Sequence, residues 1–132
     1  MTIYEHLAVM VKAPRIGQVK TRLGRDIGHV RAWGFYRRML HTVLRPLARD
    51  CRWTTWLVVS PDRALRQDHL WPVRTPRLTQ GEGDLGDRMY RVMEVMPPGP
   101  VVIIGMDIPE IRTHHIEQAF RALGTHDVVF GP

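Results

Sequence analysis

Three continuous apolar runs, Leu7-Ala-Val-Met-Val11, Trp56-Leu-Val-Val59 and Val101-Val-Ile-Ile104, limit the folds open to this chain more than any other feature. None alternates polar with apolar residues, so each reads as a strand covered on both faces, as in a parallel sheet. Parallel neighbours need crossovers, and helical spacing lies between the runs. From Val30, apolar residues at Trp33, Tyr36, Met39, Leu40, Val43, Leu44 and Leu47 form an amphipathic stripe, with Pro46 placed to bend or shorten the last turn. Asp84 can cap a second helix with Leu85, Met89, Val92, Met93 and Met96 on its apolar face, ended by Pro97-Pro98-Gly99-Pro100. A third starts near Thr113 and turns Ile116, Ala119, Phe120 and Leu123 inward. Residues 62–70 are expected to form a short polar helix, 73–78 a weak strand and 127–130 a final strand. The predicted class is α/β: a mostly parallel sheet, first strand central, right-handed crossovers, and helices on both faces. At 132 residues and 44% hydrophobic content, residues 1–132 are expected to form a single domain around one core.

In such sheets ligands bind beyond the carboxyl ends of the strands, so the connections that leave those ends carry the functional signal. The one after the first run, 12–29, is long for a compact domain and is read as a functional loop. It also explains the charge. The net charge is +6, and Lys12, Arg15, Lys20, Arg22 and Arg25 lie in a stretch without an acid; without these five the chain stands near +1. Lys12 and Lys20 are also the only lysines in the sequence. An ammonium is a compact point charge where a guanidinium is a planar fork, so two lysines among so many arginines suggest a specific anion. Within Lys12-Ala-Pro-Arg-Ile-Gly17-Gln-Val-Lys20-Thr21-Arg22-Leu23, a glycine permits close backbone approach and the cations can oppose phosphate oxygens. The glycine spacing is not that of a Walker A loop. The plain alternative is a solvated basic loop.

Two further segments reach the same rim. Gln80-Gly-Glu-Gly83-Asp84-Leu-Gly-Asp-Arg-Met89 is a glycine-rich turn entering a helix, able to approach a ligand closely; its Glu82, Asp84 and Asp87 can equally serve as caps. Gly105-Met-Asp107-Ile-Pro109 sets a carboxylate at the end of an apolar strand, where it is either a turn residue or a hard oxygen ligand placing Mg²⁺ between protein and phosphates.

Other readings are weaker. The N-terminus lacks a signal-peptide pattern, and no apolar run approaches the roughly 18 residues of a membrane helix. The lone Cys51 forms no internal disulfide, so a cytoplasmic protein with no membrane partner is expected. The histidines lack the paired spacing of a zinc helix, and the tryptophans lack interleaved cations, so His, Trp and Cys51 are read as structural and nucleic acid is not an expected partner.

Taken together and in this order, the three motifs and the closing His126-Asp-Val-Val-x-Gly-Pro132 resemble the predicted glycosyltransferase-like proteins of the domain of unknown function 2064, within the nucleotide-diphospho-sugar transferase (GT-A) superfamily. The resemblance implies a three-layer Rossmann-like sheet that binds a nucleotide or nucleotide-sugar with Mg²⁺ or Mn²⁺. It also implies phosphate contacts from Lys12, Lys20 and Arg22, with Gly17 and Thr21 in the same binding segment, and a base or sugar bordered by Gly83 and Asp84. Asp107 would hold the metal, and Lys20 and Asp107 would be the catalytic pair. Met106 stands where the family usually has serine or threonine. Family members continue after Gly-Pro with an Asp-Gly-Gly segment, so the chain is expected to be the N-terminal, C-terminally truncated portion of the family domain. The expected activity is transfer of a glycosyl or nucleotidyl group. The alternative is a catalytically silent nucleotide-binding module, able to pair into a homo-oligomer through an open sheet edge.

Overall fold

The computed structural model describes residues 4–15, 21–106 and 110–126, with the backbone alone at 21 and 22. Strands β1 (His6–Lys12), β2 (Thr54–Ser60), β3 (Arg77–Thr79) and β4 (Val101–Ile104) form one parallel sheet in the order β3-β2-β1-β4. The helices are α1 (Thr21–Ile27), α2 (His29–Arg49), α3 (Leu85–Val95) and α4 (Thr113–Leu123). As expected, β1 is central: Leu7 pairs with Thr55 on one side and with Val102 on the other.

Successive side chains point to opposite faces of a strand, and that period divides the core in two. Leu7, Val9 and Val11 join Leu57 and Val59 on one face, beneath Tyr36, Met39, Leu40, Val43, Leu44 and Leu47 of α2 and Ile116 and Phe120 of α4. Ala8 and Val58 face the other way, against Val92 of α3 and Met96 at its C-cap. Each large side chain fully buried in this way stabilises by about 1.5–3 kcal/mol. The result is the expected three-layer sheet.

The α2 stripe is the predicted one, and the helix runs on through Pro46 to Arg49. Its end is secured from outside: the Leu47 carbonyl accepts from Trp53 Nε1 at 3.1 Å and from Thr55 Oγ1 at 3.2 Å, so buried donors serve a terminal helix carbonyl. Trp53 also packs on Phe120 of α4, ring centroids 5.9 Å apart. Outside this contact Arg52 bridges Asp50 and Glu117, each at 2.6 Å, and holds the Asp50 carboxyl below the usual carboxylate range by direct hydrogen bonding.

Four expectations need correction. Residues 62–70 form two short 3₁₀ turns, Asp62–Arg66 and Asp68–Leu70, because only Ala64 among them is fully buried and no apolar stripe sustains a longer helix. The strand expected over 73–78 is Arg77–Thr79. Among the described residues β4 pairs only with β1, which leaves Val101–Ile104 half-buried instead of covered on both faces. The 12–29 connection contains a helix, α1. The strand expected at 127–130 lies outside the described residues. No described helix is long and apolar enough to cross a membrane.

Leu57 is fully buried at the centre of the α2 face. Leu57→Ala is therefore expected to cost about 2–5 kcal/mol of unfolding free energy, read as a lower denaturant midpoint with an unchanged slope.

Candidate functional site

Because every strand is parallel, all carboxyl ends open on one rim, where Lys12, Ser60, Thr79 and Ile104 are the last strand residues. The loops that leave it are tied across the strands. The Ala13 N–H donates to the Ser60 carbonyl at 2.7 Å, and the Gln80 N–H to the Val59 carbonyl at 3.0 Å.

The exit of Lys12 is fixed from below by α2. Since Ala13 turns its N–H toward β2, the main-chain groups of Lys12 point to the opposite side, where β4 has already ended: its last pair is Val9 with Ile104. Tyr36 takes the place of the missing strand. Its hydroxyl donates to the Lys12 carbonyl at 2.7 Å and accepts from the Lys12 N–H at 3.1 Å. One helical turn earlier, Trp33 Nε1 donates to the Pro14 carbonyl at 2.7 Å, and Arg15 donates to the Gln67 side chain. The backbone at 12–15 is thus anchored, while the exposed Lys12 ammonium makes no hydrogen bond or ion pair with a described residue.

The 80–84 loop is held more tightly still. Gln80 is buried, 8% exposed, and its Nε2 donates to the Val11 carbonyl at 3.2 Å and the Val58 carbonyl at 3.0 Å, spanning the β1–β2 seam. Its Oε1 accepts from Arg88 Nη1 at 2.8 Å. Arg88 Nε also donates to the Gly83 carbonyl at 3.0 Å, and Arg91 donates to the carbonyls of Gln80 and Glu82. Opposite, the Gly81 N–H donates to Asp62 Oδ1 at 3.1 Å. Gly81 and Gly83 have φ of +74° and +104°, where a side chain is strained.

Asp84 is the N-cap of α3: its side chain accepts from the Asp87 N–H at 2.8 Å, and the Asp87 side chain accepts from the Asp84 N–H at 3.1 Å. That reciprocal box occupies both carboxylates locally, so Asp84 can border a ligand mainly through its backbone. The structure therefore brings Lys12, Gly83 and Asp84 to one rim. Thr21 and Arg22 form the first turn of α1. Gly17, Lys20 and Asp107 lie outside the described residues. Met106, just before Asp107, is buried in the α2-side core. No cluster of three metal-ligating side chains occurs among the described residues.

Sequence reasoning gave no role to Tyr36, Trp33, Gln80, Arg88 or Arg91. Tyr36 and Trp33 belonged to an apolar stripe, which conceals what their polar tips do. Gln80 carried a readable signal, an uncharged amide directly after a strand.

Two variants test how the rim is built. Tyr36→Phe removes the hydroxyl from both Lys12 main-chain groups and is expected to cost about 1–3 kcal/mol, measured by denaturant unfolding. Gly83→Ala forces a side chain into positive φ with its Cβ 2.5 Å from Asp87 Oδ2. Its expected cost is about 1–2 kcal/mol, read as a lower melting temperature.

No curated protein matches the chain. In overall shape it is similar to the crystal structure of a candidate nucleotide-diphospho-sugar transferase from Desulfovibrio desulfuricans G20, with a TM-score of 0.81 and 26% sequence identity. The match covers 94% of this chain and 56% of that one, so the chain spans little more than half the length of its structural neighbour. The fold is thus of the nucleotide-diphospho-sugar transferase type. A family model described as an uncharacterized protein conserved in bacteria matches residues 42–132, which include the Gln80 loop and the end of β4. The chain belongs to that family, the domain of unknown function 2064.

Proposed function

We propose that the protein is a divalent-metal-dependent transferase that takes a nucleotide-sugar or a nucleoside triphosphate and passes on a glycosyl or a nucleotidyl group. The observation that carries this reading is the Lys12 ammonium at the carboxyl rim, which makes no hydrogen bond or ion pair with a described residue, on a backbone locked by Tyr36 and on the same rim as the pinned Gly81–Gly83 turn. A diphosphate lying across that rim would meet Lys12 together with Lys20 and Arg22 of the same basic segment, with Gly17 permitting close approach and Thr21 in the same binding segment. The backbone at Gly83 and Asp84 would border the base or sugar. The chemistry asks little of the protein beyond alignment and charge. In glycosyl transfer the anomeric C–O bond to the diphosphate breaks and a bond to an acceptor oxygen forms; in nucleotidyl transfer an acceptor oxygen displaces pyrophosphate from the α-phosphorus. In both, negative charge grows on a leaving phosphate, and preorganised cations at the rim stabilise it.

A divalent metal would need few protein ligands here, and Asp107, at the end of the Val101–Ile104 run, is the carboxylate proposed to hold Mg²⁺ or Mn²⁺. Mg²⁺ is commonly bound through one or two carboxylates plus substrate phosphates and water, and it would supply charge neutralisation there.

A second reading is a nucleotide-binding module that does not turn its ligand over. Calorimetric titration with nucleoside diphosphates, triphosphates and nucleotide-sugars, with Mg²⁺ and with a chelator, tests both. Binding is expected to weaken at least tenfold without metal and at least tenfold in the Lys20→Ala, Asp107→Ala double variant; binding unchanged by either removes the proposal. Product formation with a bound nucleotide-sugar or triphosphate separates transferase from silent module.

A further inference from the structure

A cleft of about 310 Å³ lies between α2 and residues 69–72, on the α2 side of the rim. Its lining includes Arg37 and His41 from successive turns of α2, His69 from the opposite wall, the partly exposed Leu70 and Pro72, and the buried Leu40, Trp71 and Pro14 behind them. Three properties make it more than a crevice. Its lining holds no carboxylate, although the chain has 13 acidic residues. None of Arg37, His41 and His69 makes a hydrogen bond or ion pair with another described residue; Arg37 lies only against the Trp33 ring, 4.8 Å from its centroid. The indole nitrogens are already committed, Trp71 Nε1 to the Ala64 carbonyl at 3.1 Å and Trp33 Nε1 to the Pro14 carbonyl at 2.7 Å. The polar side chains left to a ligand are thus a guanidinium and two imidazoles, all exposed on the walls of one cleft.

We infer that this cleft is a second binding site, distinct from the nucleotide rim, for the phosphate monoester of a small organic molecule. A guanidinium offers two parallel donors that match phosphate oxygens, and imidazoles donate to the remaining ones. The partly exposed Leu70 and Pro72 face the carbon skeleton. The volume stands at the lower end of small-molecule sites, roughly 300–1,000 Å³, which suits a monosaccharide phosphate and excludes a dinucleotide. Neither Lys12 nor the 80–84 loop lines the cleft, so the site does not depend on the nucleotide reading. It adjoins the rim through Pro14, whose carbonyl is anchored by the same Trp33 on which Arg37 rests.

The test is a titration of the full chain with glucose 6-phosphate, inorganic phosphate and gluconate, following the histidine ring signals by NMR, with His41 and His69 assigned from His41→Gln and His69→Gln. The expected result is a saturable, joint shift of both rings with glucose 6-phosphate, at least threefold weaker binding of inorganic phosphate, and weaker binding again of gluconate. Arg37→Gln with His41→Gln should weaken glucose 6-phosphate at least tenfold, and His69→Gln, from the other wall, at least threefold. Both variants should keep the wild-type circular dichroism spectrum and bind Mg²⁺-nucleotide within twofold of wild type. Absence of a saturable shift at either ring, shifts that survive the Arg37→Gln, His41→Gln variant, or shifts abolished by Lys12→Ala instead would overturn the proposal. Tighter binding of gluconate than of the phosphate ester would overturn the ligand class. Failure of nucleotide binding alone would leave these shifts intact, so the two sites fail independently.

Discussion

Strand β1 runs past its neighbour β4, from Met10 to Lys12, into a region that is still half interior. A buried backbone donor or acceptor without a partner costs about as much as a lost hydrogen bond, so the overrun needs something to complete it. The Tyr36 hydroxyl does so, serving the N–H and the carbonyl of Lys12 at once. Its consequence reaches beyond stability. Tyr36 stands on the same helix face as Met39, Leu40, Val43 and Leu44, so the position of the Lys12 backbone is set by the packing of α2 on the sheet. The rim takes its rigidity from the core, and a loop attached there starts from a fixed point.

Across the sheet the decisive contacts are polar. Helix α3 has a stripe of Leu85, Met89 and Met93 that its spacing assigns to the interior, yet Leu85 is 65% exposed and Met93 52% exposed. The helix is turned so that Val92 and Met96 reach the sheet while Arg88 and Arg91 reach the 80–83 loop. Four loop acceptors, the Gln80, Glu82 and Gly83 carbonyls and Gln80 Oε1, are satisfied by those two guanidiniums. The inner side of α3 is thus shared between apolar burial and these polar contacts, and the exposed Leu85, Met89 and Met93 are tolerable because exposed apolar surface is common on folded proteins.

This competition explains what could be read from the sequence. The runs Leu7–Val11 and Trp56–Val59 became paired parallel strands because an unbroken apolar run has few other stable uses, and the α2 stripe from Trp33 to Leu47 survived even Pro46. The Asp84 cap was legible because capping depends on neighbours three residues away. Residues 62–79 were not, since they lack a period, and their placement comes from single apolar residues, Ala64 and Trp71, that join the α2-side core and are linked by the Trp71 Nε1 bond to the Ala64 carbonyl. In the site, Lys12, Gly83 and Asp84 converge as expected on one rim. The groups that aim them, Tyr36, Gln80 and Arg88, act through a single polar atom or fork on a residue whose burial dominates its pattern.

The division of labour between arginine and lysine sharpens the case for an anion at the rim. The sequence has 17 arginines against two lysines, and many of the arginines are structural. Arg88 and Arg91 staple the glycine loop, Arg52 joins Asp50 to Glu117, Arg77 pairs with Asp68, and Arg15 ties the first loop to Gln67. A planar fork suits such tasks because it meets two acceptors with one orientation. Lys12 does none of this: Tyr36 holds its backbone, and its ammonium makes no hydrogen bond or ion pair with a described residue. A fixed backbone beneath an uncommitted charge is wasted on a solvated surface, where a mobile lysine would serve solubility equally well. It is what a phosphate site requires, because alignment prepared before binding is entropy not lost on binding.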